Sequence, residues 1–346
     1  MEETKGSRVF HENTPLVQSE PLSQLLASPV WLKMDALQPS GSFKIRGIGL
    51  ACSRAVERGA KTLVCSSGGN AGYAVAYAGR LLGVPVTVVV PSSTPAFMMD
   101  KIRQQEATVV VHGKVWNEAD AVAREMAKKE DTAYIPPFDL PDIWEGHSSI
   151  VEEIRDDFLR HNIPKPAVVV CVVGGGGLLC GVAEGLQKAG WKDVPILAVE
   201  TQGAHSFHAA VTAGQLVSLT EITSVAKTLG ALQVAQRAFE WASEHPIQSC
   251  VVSDAQAVEA CIDFYRDHQL YVEPSCGAGL AVVYNKHPQL LDFMNKKQRN
   301  EEEEPEPQPQ PQRPVLVIVC GGNAASQEYL EGLRHQLRSN GSSNNK

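Results

Sequence analysis

AVVVCVVGGGGLLCGVAEGL, residues 167–186, runs seven apolar residues into four glycines and then straight into a helical pattern. A continuous apolar strand is one buried on both faces, as in a parallel sheet covered by helices. The turn that follows exposes backbone N–H groups at a helix N-terminus, where the macrodipole favours anions. Glycine loses more freedom on folding than other residues, so four in a row need a reason. A phosphate cradle is one reason, and a tight packing turn without a ligand is the other. The spacing is not G-x-G-x-x-G, because Leu179 and Cys180 stand where the last glycine would be, and Val182 after Gly181 excludes a Walker lysine. Glu200 ends the next strand about where a ribose-binding acid would lie, which keeps a dinucleotide open.

The alternation continues on both sides. KTLVC (61–65) precedes a helical pattern over 70–82, VTVVV (86–90) one near 95–105, and TVVVH (108–112) one over 118–129. A helix over about 144–160 leads into the central strand. Beyond it, ILAVE (196–200) is followed by helices near 228–243 and 254–268, the second opened by Ser253 and Gln256 at capping-box spacing. VLVIVC (315–320) precedes a closing helix from about Ser326. Strands alternating with helices give an α/β chain of open parallel sheets with helices on both faces. Two units are expected: a small one over 38–140, and a large one from 1–37 plus 141–346, with proline-rich crossings near Pro39 and 136–141. The tract KKQRNEEEEPEPQPQPQRP (296–314) is expected to be a disordered acidic Pro/Gln insert, and 339–346 a disordered tail.

Composition narrows the function. The 346 residues are 43% hydrophobic and 20% charged, ample for a core of two domains. A net charge of −8 offers no basic surface for nucleic acid. The longest uncharged apolar stretch is broken by the four glycines, so no membrane helix is expected. Glu2, Glu3, Lys5, Arg8 and Glu12 leave no apolar region for a secretory leader. Eight scattered cysteines, with no CxxC and no Cys/His cluster, read as reduced thiols of a cytoplasmic protein and not as disulfides or a zinc site.

Three further turns carry polar groups. In PSGSFKIRG (39–47), Ser42 is placed as the N-cap of a helix to about Glu57, which sets Lys44 and Arg46 in its first turn. The dipole disfavours cations there by on the order of 0.3–1 kcal/mol each. That depresses a lysine pKa, as a Schiff-base or general-base lysine requires; an exposed lysine in a poor position is the other reading. In SSGGNAG (66–72), hydroxyls, the Asn70 amide and free N–H groups converge at a helix start, suited to a carboxylate or phenolate oxygen, or simply to a capped turn. In VCGG (319–322), Cys320 ends a strand; a buried structural thiol is its ordinary role. All four turns lie where ligands of α/β sheets bind. An amine, a phosphate site, a carboxylate site and an uncharged polar group form an inventory for pyridoxal phosphate and an amino acid.

With PPFD (136–139), IWEGH (143–147), ETQGAHSF (200–207) and EPSCGA (273–278) added to these motifs, the chain resembles the fold-type II, tryptophan-synthase β-like pyridoxal-phosphate enzymes from Thr14 to the closing helix. Within them it is similar to the animal serine/threonine dehydratases, including the serine dehydratase-like group. The resemblance implies that Lys44 is joined to the cofactor aldehyde and later removes the substrate's α-proton. Phe43 would pack on the pyridine ring and Asn70 bond its 3′ oxygen. Cys320 would face the ring nitrogen, and Gly174, Gly175, Gly176, Gly177 and Leu178 would cradle the phosphate. Ser67, Asn70 and Ala71 would hold the substrate carboxylate. A monovalent cation, potassium, would take Gly174, Glu200, Ala204, Ser206, Leu229 and Ala231 as ligands, which makes Glu200 a cation ligand and not a ribose acid. The implied reaction is β-elimination from L-serine to pyruvate and ammonia, or from L-threonine to 2-oxobutanoate and ammonia, by a homodimer. The same scaffold also serves racemases, β-replacement enzymes and cofactor-binding proteins with vestigial catalysis.

The resemblance implies Ala or Ser just before the Gly-Asn pair, where this chain has Gly68. Without a hydroxyl, the far face of the substrate lacks a second acid or base, which argues against racemisation. It also loosens substrate positioning. Gly68→Ala is therefore expected to raise turnover with serine in a keto-acid assay; unchanged or lower turnover would count against Gly68 as the weak point.

Overall fold

β-Branched residues fit a pleated, packed surface, and their runs form two sheets in this chain. The structure, a computed structural model, describes residues 8–301 and 312–343. Its strands are β1 (Leu16–Gln18), β2 (Val30–Lys33), β3 (Thr62–Cys65), β4 (Val86–Val90), β5 (Thr108–Val111), β6 (Thr132–Tyr134), β7 (Val168–Val172), β8 (Ile196–Thr201), β9 (Ile247–Val252) and β10 (Val315–Ile318). The helices of the first half are α1 (Glu20–Leu26), α2 (Lys44–Glu57), α3 (Asn70–Leu82), α4 (Ala96–Arg103), α5 (Trp116–Met126) and α6 (Pro141–Arg160). Those of the second half are α7 (Gly177–Lys188), α8 (Ser206–Ala213), α9 (Gln236–Glu244), α10 (Asp254–His268), α11 (Pro274–Tyr284), α12 (Pro288–Glu301) and α13 (Gln327–Ser343).

The larger sheet runs β1-β2-β10-β7-β8-β9 and the smaller β5-β4-β3-β6. Every pairing is parallel except β1 with β2. The last strand, β10, inserts between β2 and β7, so the turns after β7 and β10 leave the sheet side by side at its C-terminal edge. That edge is where α/β sheets bind ligands. Each sheet has its own apolar core, and Trp144 packs against both.

Arg46 explains how a cation tolerates the first turn of α2. Its buried guanidinium meets Asp35 Oδ2 at 2.6 Å and Glu153 Oε1 at 2.6 Å, and Lys33 Nζ reaches Glu153 Oε2 at 2.6 Å. Two cations and two carboxylates balance, and the network pins α2 to β2 and α6. Removing one partner of such a buried set strands a charge, at a cost of about 3–5 kcal/mol.

Several expectations change. Ser42 is not the N-cap of α2: Phe43 is, with no side-chain cap, and Ser42 pairs by its backbone with Gly321. The helix expected from 228 begins at Gln236, because residues 227–229 make a single 3-10 turn whose backbone lies against Gly174. β1, β2, β6 and β9 are short or lie at edges, with weak alternation. α11 is buried on all sides and so has no amphipathic period. α12 extends through 296–301 and α13 through 339–343, where irregular chain was expected. Lys, Gln, Arg and Glu are good helix formers, which accounts for the first extension. Residues 302–311 and 344–346 of the insert and tail lie outside the described residues.

Candidate active site

Lys44 is the first residue of α2, and the segment before it is tied to the end of β10: the Phe43 amide donates to the Cys320 carbonyl at 2.9 Å. The partly buried ammonium donates to the Pro137 carbonyl at 2.8 Å. Burial lowers its pKa from 10.5 to about 8 against an opposing pull from Glu273. Loss of water is thus the main cause, where the sequence suggested the dipole. Behind Phe43 lies His147, with ring centroids 4.9 Å apart. Its Nδ1 accepts from the Gly47 amide at 3.2 Å, and burial first, then Lys44 and Arg46, hold the imidazole neutral.

Next to Pro137, Phe138 covers the glycine turn. A Cβ on Gly175 would come within 2.3 Å of the Phe138 ring, and one on Gly177 within 2.8 Å of the Phe138 carbonyl. Gly176 has φ +93°, and its Cβ would meet that of Ala238 at 2.5 Å. No side chain fits there. The turn leads directly into the 12 residues of α7, whose first-turn amides have no partner within the helix. A cradle closed to side chains and lined by amides fits an anionic group such as a phosphate. Leu178, in that first turn, is buried.

After β3 the chain approaches itself closely: a Cβ on Gly72 would fall 1.8 Å from the Ser67 carbonyl. Ser67 Oγ accepts from the Gly69 amide at 3.3 Å, Ala71 is buried, and Ser66 is committed elsewhere, to Asp120. Asn70 Nδ2 donates to Glu273 Oε1 at 2.6 Å, while its Oδ1 accepts from Asn323 Nδ2 at 3.0 Å. Thr228 Oγ1 also donates to Glu273 Oε1, at 2.7 Å. Burial pushes the Glu273 carboxyl up to about 7 against these donors. Cys320 is buried, and a hydrogen bond with the Cys276 thiol together with burial holds its own thiol well above its usual range, so it stays protonated.

Glu200 is fully buried at the end of β8. Its oxygens accept from the amides of Phe207 at 2.9 Å and His208 at 2.7 Å, at the start of α8, and burial raises it to about 8 against those bonds. Ser206 opens the same helix and is buried; Ala204 turns back to Thr201 by a 2.9 Å backbone bond. On the other side, Gly174 lies close to Leu229, whose carbonyl accepts from the Ala231 amide at 2.8 Å.

The structure therefore joins Phe43, Lys44 and Cys320 directly, and brings Asn70 to the loop after Cys320. Glu273, Asn323, Thr228, Phe138, His147 and Thr94 carried no role in the sequence reading. Four of them sit in or beside quoted motifs (Phe138 in PPFD, His147 in IWEGH, Glu273 in EPSCGA, Asn323 after VCGG), which was the available signal.

Comparisons with known proteins agree with this geometry. The family model described as "Pyridoxal-phosphate dependent enzyme" matches residues 8–293. The human protein named "L-serine dehydratase/L-threonine deaminase" is 50% identical over 329 residues, covering 95% of this chain and 96% of that protein. Human "Serine dehydratase-like" is 47% identical over 328 residues, covering 95% of each. Among solved structures, a fungal L-serine ammonia-lyase from Rhizomucor miehei superposes with a TM-score of 0.84 at 37% identity, over 95% of this chain and 99% of that one.

Gly68 now has a neighbour. A Cβ there would lie 2.5 Å from Thr94 Cγ2 and 2.6 Å from Thr94 Oγ1, but 3.2 Å from Thr94 Cβ. Alanine at 68 thus overpacks unless Thr94 yields, typically at about 1–3 kcal/mol. Gly68→Ala alone is expected to lower the melting temperature, and Thr94→Ala in the same chain to restore it and release the gain in turnover. A Gly68→Ala variant that melts with the parent would show that Thr94 is no obstacle.

Proposed function

The chain belongs to the pyridoxal-phosphate-dependent enzyme family; on that premise we propose that it removes ammonia from L-serine and L-threonine, releasing pyruvate and 2-oxobutanoate. The observation that carries the reading is the Lys44 amine, desolvated to a pKa of about 8 and held through Pro137 beside the glycine turn. The relatives' names supply the substrates.

In this reading Lys44 would hold the cofactor through its aldehyde and Phe43 would pack on its ring. Asn70 would donate to the ring oxygen, and Cys320 would lie toward the ring nitrogen. The amides of Gly174–Gly177 and Leu178 would hold the phosphate. When bound, pyridoxal phosphate supplies an electron sink for charge developing at the substrate's α-carbon. Lys44 does the proton work: with a pKa near 8 its neutral form is populated near neutrality and can take the α-proton, which an ordinary lysine would rarely do. Ser67, Asn70 and Ala71 hold the carboxylate and so align the α-carbon bond to that amine. Cys320, a protonated thiol, brings no negative charge to the ring nitrogen. Gly68 supplies no second base, which favours elimination over racemisation.

A monovalent cation, potassium, is placed by the same reading among the carbonyls of Gly174, Ala204, Leu229 and Ala231, with Ser206 and Glu200. The close approach of Gly174 to Leu229 supports it. A homodimer in the cytoplasm completes the proposal. The eight cysteines are free and buried, consistent with a reducing compartment, and no helix among the described residues is long and apolar enough to cross a membrane.

Two experiments test the reading. Cofactor-free protein mixed with pyridoxal phosphate and fixed with borohydride should carry the label on Lys44, and Lys44→Arg should give neither label nor keto acid. Because only the neutral amine attacks, attachment should rise with pH and level off above about 8; a rate still climbing toward 10 would contradict the desolvated lysine. Exchanging potassium for tetramethylammonium should lower both turnover and melting temperature several-fold and by several degrees, roughly 1–3 kcal/mol of linked binding. Glu200→Gln should be blind to the exchange; an equal response in that variant would remove Glu200 from the cation site.

A further inference from the structure

Both ends of the Asn70 amide are taken, by groups of opposite polarity. Nδ2 donates to Glu273 Oε1 at 2.6 Å; Oδ1 accepts from Asn323 Nδ2 at 3.0 Å and from the Asn323 amide at 3.4 Å. An amide's oxygen and nitrogen ends are nearly the same shape, so only hydrogen bonds decide which way it faces. Turned over, Asn70 would set its oxygen against an acceptor and its hydrogens against two donors. All three bonds would be lost in a buried place, where unpaired polar groups cost about 1–3 kcal/mol each.

The two flanking residues are themselves fixed. Asn323 Nδ2 also donates to the Ser40 carbonyl at 2.7 Å, and the Asn323 carbonyl accepts from Lys101 Nζ at 2.6 Å. The Asn323 side chain lies under Gly41, where φ is +71° and a Cβ would meet Oδ1 at 2.7 Å. Glu273 is 4% exposed, stands at the N-cap of α11 and receives Thr228 Oγ1 as well. One oxygen of Glu273 thus gathers Asn70 from the smaller sheet's side and the 3-10 turn beside the glycine cradle.

We propose that Glu273 and Asn323 are positioning residues that fix the direction of the Asn70 amide, so that its second Nδ2 hydrogen is offered to the ring oxygen of the cofactor. The inference rests on the proposed function and adds two residues to it. Neither touches the cofactor or substrate in this role; both act through Asn70. Lys101 extends the arrangement to α4, so the smaller sheet and the loop after β10 are held in one register.

A double-mutant cycle tests it, read as the dissociation constant of pyridoxal phosphate and as the melting temperature of the cofactor-free protein. Asn323→Ala and Glu273→Ala should each weaken cofactor binding about tenfold, the effect of one charge-assisted or buried bond. Glu273→Gln can still accept from Asn70 through its own amide oxygen and should stay within about twofold of the parent. In an Asn70→Ala background, Asn323→Ala should add less than about twofold, because residues acting through one group are not additive. A purely structural role would lower the melting temperature and weaken binding equally in both backgrounds, and that result overturns the proposal. So does cofactor affinity unchanged by Asn323→Ala in a parent that binds normally. If Glu273→Ala fails to fold, the Asn323 cycle decides alone. A parent protein that takes up no pyridoxal phosphate would defeat the proposed function and the clamp together, and is distinguishable from the failure of the clamp alone.

Discussion

An amine drawn partly out of water at the start of a helix is the constraint on which this molecule turns. Burial opposes a charge at Lys44, and its hydrogen-bond partner is a neutral carbonyl, that of Pro137. The residue stays there because α2 is anchored two positions further on, where Arg46 is sandwiched between Asp35 and Glu153. The network fixes the helix start, and the helix start fixes the amine. A lysine with a usable neutral fraction near physiological pH is then a consequence of packing and not of any one neighbour.

Much of this was legible in the chain. Apolar runs followed by glycine-rich turns marked β3, β7 and β10 and the loops after them, because strand burial and backbone freedom leave compositional traces within ten residues. Lys44 stood out as a candidate from its place in a first helical turn, though burial is what lowers its pKa. What escaped depends on partners far away: Asn70 meets Glu273 across 203 positions and Asn323 across 253. The residues are ordinary in their local context and acquire meaning only when β10 inserts beside β7. The 3-10 turn at 227–229 escaped for a related reason. A helical pattern is visible in the sequence, whereas the close approach of Gly174 that interrupts it is not.

Gly68 shows the same limit from the other side. Sequence reasoning sees a missing hydroxyl and treats the position as a deficit. In the folded chain the Thr94 side chain, from the turn before α4, stands where a Cβ on Gly68 would lie, so two positions 26 residues apart constrain one another. An added methyl at 68 therefore needs the Thr94 side chain to give way.

Among the described residues the larger sheet has one apolar core and the smaller sheet two, and Trp144 packs against the larger sheet's core and the main core of the smaller. The hydrogen bonds that join them at the site run from Asn70 to Glu273 and Asn323 and from Lys101 to Asn323, beside the apolar contacts of Phe43 and Phe138 with the larger sheet's core. Apolar burial is non-directional and would tolerate a slide of one unit against the other. Hydrogen bonds fall off steeply with angle. A site that must aim one N–H of an amide and one lone pair of an amine therefore needs its inter-sheet contacts to be of the directional kind, and these are concentrated in the loops at the C-terminal strand ends, where the aim is taken.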